Sequence, residues 1–243
     1  MNPRGSQFGL GGAVEAWVRR ESFPPREAAV LRRCYAGREP RTFSRFGIRQ
    51  LAAPLPTTRV IVKDPFAVLS VAAVHETTGA VPVVLYRHPA AVLASYRRMG
   101  WTADAEEMAA LGAPEPDGDG DLAAMAAMWA WCYDVALRDL DRIDDGLVVS
   151  HHALTVGGAA AHRELCRELS LAPPASASGA NGRPVGKRRE RVLHDFNRSA
   201  TTIDEGWRAE MTAGEIATME ESVAPTWTEL EKRQLPLAGP VSA

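Results

Sequence analysis

Three short apolar runs, each ending on charged or histidine residues, constrain the fold of this chain most. They are Arg59-Val60-Ile61-Val62, Val81-Pro82-Val83-Val84-Leu85-Tyr86 and Leu147-Val148-Val149-Ser150. β-branched residues favour extended backbone. The unbroken apolar run at 81–86 suits a strand covered on both faces, as in a parallel sheet. Helical spacing fills the intervals. Residues 66–78 repeat Phe66, Leu69, Ala73, Val74 and Thr77 and stop at Gly79. Pro89 opens a helix to about Met99, as proline does at a first helical position. Residues 122–140 carry an apolar stripe through Met125, Trp129, Cys132, Tyr133, Ala136 and Leu140, read as core packing. Further helices are expected over 13–20, 25–36, 158–170, 213–223 and 226–233. Residues 112–121 and 172–190, rich in Gly, Pro and Ser, read as flexible loops. This alternation predicts an α/β fold, a parallel sheet flanked by helices on both faces, in a single domain over 1–243.

Composition narrows the function classes. The 28 basic and 30 acidic residues leave a net charge of −2, which gives no bulk attraction to nucleic acid or to a membrane surface. Cys34, Cys132 and Cys166 are too few and scattered for a disulfide framework or a zinc site, so they read as buried free thiols of a reducing compartment. The first six residues lack the apolar run of a signal peptide, and no apolar stretch reaches the roughly 20 residues of a membrane helix. A cytoplasmic protein is expected.

Parallel sheets bind ligands beyond the carboxyl ends of their strands. There stand Lys63-Asp64-Pro65, Arg87-His88-Pro89 and His151-His152. Arg87 beside a helix N-terminus joins a fixed charge to unpaired backbone N–H groups, a strong anion site. Ser95 follows eight residues later, roughly 9 Å up the helix. A phosphate between strand and helix can touch both; the plain alternative is an Arg that caps a neighbouring helix and a Ser facing solvent. Lys63 can neutralise a phosphate or leaving group, or simply pair with Asp64 at the surface. His151 and His152 suggest a metal, but neighbours in a strand point to opposite faces, so no metal site is assigned.

Val-Ile-Val-Lys-Asp-Pro at 60–65, with Leu-Tyr-Arg-His-Pro-Ala-Ala-Val-Leu-Ala-Ser-Tyr-Arg-Arg-Met at 85–99, resembles the sulfotransferases that use 3′-phosphoadenosine 5′-phosphosulfate (PAPS). The similarity is strongest over 60–100 and extends over roughly 58–230. It implies a P-loop-like fold and transfer of a sulfuryl group to a hydroxyl or amine of a small molecule or glycan. By resemblance, Arg87 and Ser95 hold the 3′-phosphate, and Lys63 approaches the phosphosulfate bridge. His151 stands where the family often has a Tyr that holds the adenine. The basic run Arg183 to Arg198 resembles a loop that folds over the 3′-phosphate, with Arg198 the best-matched residue. Asp204-Glu205-Gly206-Trp207-Arg208 resembles the Trp-containing turn that follows it.

Two family features are not matched. The phosphosulfate loop, a strand followed by a Pro-Arg-Ser-Gly-Thr-like turn and a helix, has no counterpart, so the fold is expected to be N-terminally incomplete and the chain as written to have little or no sulfotransferase activity. The position two residues after Lys63, where many members carry a catalytic His, is Pro65, and no base is assigned. Two alternatives stay open: a non-catalytic nucleotide-binding or scaffold protein on the same fold, and a P-loop small-molecule kinase, whose Gly-x-x-x-x-Gly-Lys-Ser/Thr motif is absent.

Overall fold

Proline and glycine set most of the helix boundaries. The structure is a computed structural model and describes residues 19–39, 55, 58–172 and 205–237. Helix α1 (Pro25–Tyr35) begins on a proline, whose missing N–H a first turn does not need. A 3-10 turn over Ala67–Leu69 leads into α2 (Val71–Thr78), which ends at Gly79 with φ 68°. Strand β1 (Val83–Tyr86) feeds α3 (Pro89–Met99), closed by Gly100 at φ 67°. Both glycines take the left-handed conformation that side chains resist. Then come α4 (Ala105–Ala110), α5 (Gly120–Leu140), β2 (Leu147–Ser150) and α6 (His151–Glu168), the last kinked at Gly158. A 3-10 turn over Gly206–Glu210 precedes α7 (Ala213–Arg233), opened by a Thr212–Glu215 capping box.

The architecture is mixed α/β and mostly helical, with a small parallel sheet of two strands among the described residues. The register pairs Val83 with Leu147 and Tyr86 with Ser150. Beyond β2, the Leu235 N–H donates to Val148 O at 2.8 Å, and Gln234 bridges Val148. Leu147 N donates to Pro82 O. Residues 82, 84 and 86 of β1 therefore face β2, while 83, 85 and 87 direct their backbone groups to the opposite edge.

That opposite edge corrects one expectation. Residues 59–62 do not form a strand; they run irregularly, with Val60 38% and Ile61 79% exposed. A third parallel strand needs the outward carbonyls of β1. Two of these are already taken by α5: Leu85 O accepts from the Tyr133 hydroxyl and Arg87 O from Trp129 Nε1, each at 3.0 Å. One sheet face packs on the core through Val84 and Tyr86. The other is covered unevenly, with Val149 fully buried but Val83 and Leu85 37% and 47% exposed.

Helix α5 is the axis of the core. It buries Met125, Met128, Trp129, Cys132 and Val135 and packs against α2, α3 and α7, which contribute Ala72, Leu93, Met219 and Leu230. Each such large side chain contributes about 1.5–3 kcal/mol on burial. Asp139 is the charged exception. It is 2% exposed; Oδ1 accepts from Arg19 Nη1 and Oδ2 from the Ala72 N–H at the start of α2, both at 3.0 Å.

Other boundaries moved. The helices expected over 213–223 and 226–233 are one helix with Pro225 inside, because Met219, Val223, Thr226 and Leu230 keep one buried face across it. Helix α4 was not anticipated. The loop expected over 112–121 ends at Gly120, where α5 starts. Residues 13–18 and most of 172–190 lie outside the described residues.

Candidate functional site

Strands β1 and β2 end level, and each runs straight into a helix. With Tyr86 paired to Ser150, the next residues are Arg87 and His151, side by side at the carboxyl edge of the sheet. Helix α3 opens on His88 as cap and Pro89 as first residue; α6 opens on Ser150 as cap and His151 as first residue. The Ser150 hydroxyl accepts from the Ala153 N–H at 3.3 Å. His151 and His152 therefore lie in a helical first turn rather than in a strand. His151 is half-buried and His152 exposed. Two helix N-termini opening at one sheet edge give that edge a positive potential.

His88, which follows Arg87 at the end of β1, is held on several sides. Its Nδ1 accepts from the Ala90 N–H at 3.3 Å, so the ring proton sits on Nε2, 3.1 Å from Glu220 Oε1 on α7. The ring stacks on Trp207 at 4.6 Å and 22°, and meets Trp227 at 5.3 Å and 62°. Burial lowers its pKa below the ordinary imidazole value, and Glu220 pulls the other way. A neutral ring suits the capping role, since protonated Nδ1 cannot accept. Its position just before Pro89 was the readable signal for a cap.

Beneath the strand end the aromatic rings form one cluster. Trp227 stacks with Trp129 at 5.9 Å and meets Tyr86 edge-on at 5.5 Å; Trp129 lies 4.6 Å from Tyr133. The Tyr86 hydroxyl donates to Gln234 Oε1 at 2.9 Å, and burial, foremost, raises its pKa. Arg208 lies 4.6 Å over Trp207. Helix α3 grips the same segment further along, through Arg98 to Glu210 at 2.6 Å and Arg97 to Glu215 at 2.7 Å. The turn at 205–208 is thus docked beside the residue that follows Arg87.

No family model, curated protein or solved structure matches the chain.

The remaining expected site residues fall differently. Ser95 lies half-buried on α3. Lys63 is exposed in an irregular stretch rather than at a strand end. Its neighbour Asp64 accepts from the Phe66 N–H at 3.1 Å, a turn that starts the 3-10 segment. Arg198, with the rest of the basic run from Arg183, lies outside the described residues. Cys34 and Cys132 are buried, with the Cys132 thiol pushed up to about 12 by burial, while Cys166 is half-buried. Among the described residues no group of three or more His, Cys, Asp or Glu is disposed to hold a metal ion. No described helix is long and apolar enough to cross a membrane.

Proposed function

We propose that the chain is a sulfotransferase-like protein that takes PAPS at the carboxyl edge of β1 and β2 and transfers its sulfuryl group to a hydroxyl or amine of a small molecule or glycan. The observation that carries this reading is the level ending of the two strands. The register sets Arg87 beside His151 where α3 and α6 present their N-termini. A guanidinium and two helix starts at one edge favour a phosphorylated ligand over a neutral or cationic one. The docking of Trp207 on His88 adds support, because it brings the turn that resembles the family's Trp motif next to Arg87.

In this reading Arg87 holds the 3′-phosphate with charge-assisted bonds, and the Ser95 hydroxyl donates to the same group from α3. His151 lies against the base, and Arg198 closes over the phosphate. The cofactor supplies the transferable sulfuryl group; Lys63 neutralises charge on the departing phosphate. The P-loop-like arrangement, with helices on both sheet faces and a cytoplasmic setting, belongs to the same reading. A second reading, non-catalytic binding of the nucleotide, is favoured by one observation: Lys63 sits on a segment outside the sheet, with Val60 and Ile61 exposed.

Thermal melts with adenosine 3′,5′-bisphosphate test the binding step. At a hundredfold excess over Kd the ligand adds about 2.7 kcal/mol. Arg87→Ala is expected to abolish the shift and Ser95→Ala to reduce it, since a bond to a charged donor contributes about 1.5–3 kcal/mol against about 0.5–1.5 for a neutral one. No shift with folded protein overturns the proposal. A shift without turnover of PAPS selects the non-catalytic reading.

A further inference from the structure

Three segments meet at the ring of His88: the start of α3, the 206–210 turn and α7. A different part of the ring holds each. Nδ1 accepts from the Ala90 N–H at 3.3 Å, Nε2 donates to Glu220 Oε1 at 3.1 Å, and one face stacks on Trp207 at 4.6 Å. The His88 side chain is 18% exposed, so the ring is largely enclosed.

The three links coexist in one state only, the neutral ring with its proton on Nε2. An imidazolium that stays in place sets its Nδ1–H against the Ala90 N–H. One that flips within its own plane takes Nε2 away from Glu220. One that swings out to water leaves Trp207. No orientation of the charged ring keeps all three.

Charged groups around the ring set the cost of the proton. Glu220 faces it from α7 and favours the charge, while Arg208 faces it from the turn and opposes it. The N-terminus of α3, on which the ring sits, also opposes it. On its own segment the charged neighbour is Arg87. Trp207 and Trp227 bring neutral rings. Enclosure adds to the opposition.

The rest of the turn is fastened lightly. Its buried residue is Trp207. Arg98 and Glu210 pair at 2.6 Å between two exposed side chains, an arrangement that contributes little. Losing the seat of Trp207 on His88 therefore loosens the whole turn.

We infer that His88 is a proton-operated latch: its neutral ring fastens the 206–210 turn beside the end of β1, and protonation releases the turn and opens the strand end at Arg87 to solvent. The latch is a property of this joint and does not depend on which ligand the strand end takes.

Hydrogen exchange of the whole chain at about pH 7.5 and about pH 5 tests it, with rates corrected for the intrinsic pH dependence of exchange. Opening linked to one proton rises by at most about tenfold per pH unit below the ordinary imidazole value. Exchange over 205–211 and over the first turn of α3 is expected to rise by about threefold to tenfold, while the α5 amides keep their protection. His88→Asn retains a capping acceptor and does not titrate, so the turn is expected to stay equally protected at both pH values. Glu220→Gln still accepts from Nε2 but loses the charge, which moves the opening to lower pH; Arg208→Gln moves it to higher pH. These opposite shifts carry the test if His88→Asn does not fold. Unchanged protection of 205–211 in the parent chain, a rise spread equally over α5, the same rise in His88→Asn, or shifts of the two charge variants in one direction overturn the inference.

Discussion

Replacing Asp139 by alanine probes the joint that ties the start of the described chain and helix α2 to α5. The carboxylate is 2% exposed and has two partners. Its bond to the Ala72 N–H is charge-assisted and buried, so losing it costs about 1.5–3 kcal/mol and leaves a donor of the first turn of α2 without an acceptor. The bond to Arg19 contributes less. That guanidinium is 29% exposed and keeps Glu21 and the Leu69 carbonyl, so under about 1 kcal/mol is assigned to it. Asp139→Ala is therefore expected to cost about 2–4 kcal/mol. Asp139→Asn retains one carbonyl oxygen for Ala72 and is expected to cost about 1 kcal/mol, chiefly through Arg19. Urea unfolding with an unchanged m-value measures both. An alanine variant within about 0.5 kcal/mol of the parent, or an asparagine variant as costly as alanine, refutes the reasoning.

Three further perturbations follow from the geometry. A Cβ at Gly146 meets Leu140 Cδ2 at the entry to β2, so Gly146→Ala is expected to destabilise by about 1–3 kcal/mol, measured by thermal unfolding. Because burial lowers the pKa of His88, the folded chain prefers the neutral ring. The stability this contributes is complete above about pH 6.5 and is lost as pH falls through the lower folded-state value. His88→Asn keeps a capping acceptor but does not titrate, so a plot of stability against pH should flatten between the two values; an unchanged slope counts against the capping role. Tyr133→Phe releases Leu85 O at the β1 edge, and sedimentation is expected to detect more self-association with a loss of about 1 kcal/mol in stability.

Much of the helical frame was readable because its signals are local. Pro89 and Gly100 bound α3, and the spacing of Met125, Trp129 and Cys132 marks α5 whatever those residues touch. The 59–62 run was misread because a strand needs a partner edge, and donors from Trp129 and Tyr133 had claimed that edge from far along the chain. Helix α4 had a legible start, Asp104 accepting from the Glu107 N–H, but its six residues carry too little periodicity to show. Pro225 suggested a break that one continuous buried face overrides. At the site, Arg87 and His151 were placed by their positions after strands. The part played by His88 was hidden because its partners, Glu220, Trp207 and Trp227, come from segments more than a hundred residues away.

The bond between Tyr86 and Gln234 spans 148 residues, and the neighbouring Leu235 N–H supplies the donor on the outer edge of β2. During synthesis at about 5–20 residues per second, roughly 7–30 s separate the emergence of these two partners. For most of that interval β1 exists without Trp207, Trp227 and Gln234. The nascent chain thus presents an apolar surface to the cell long before it can close it, and its burden on chaperones is set by the order of its residues rather than by its final stability.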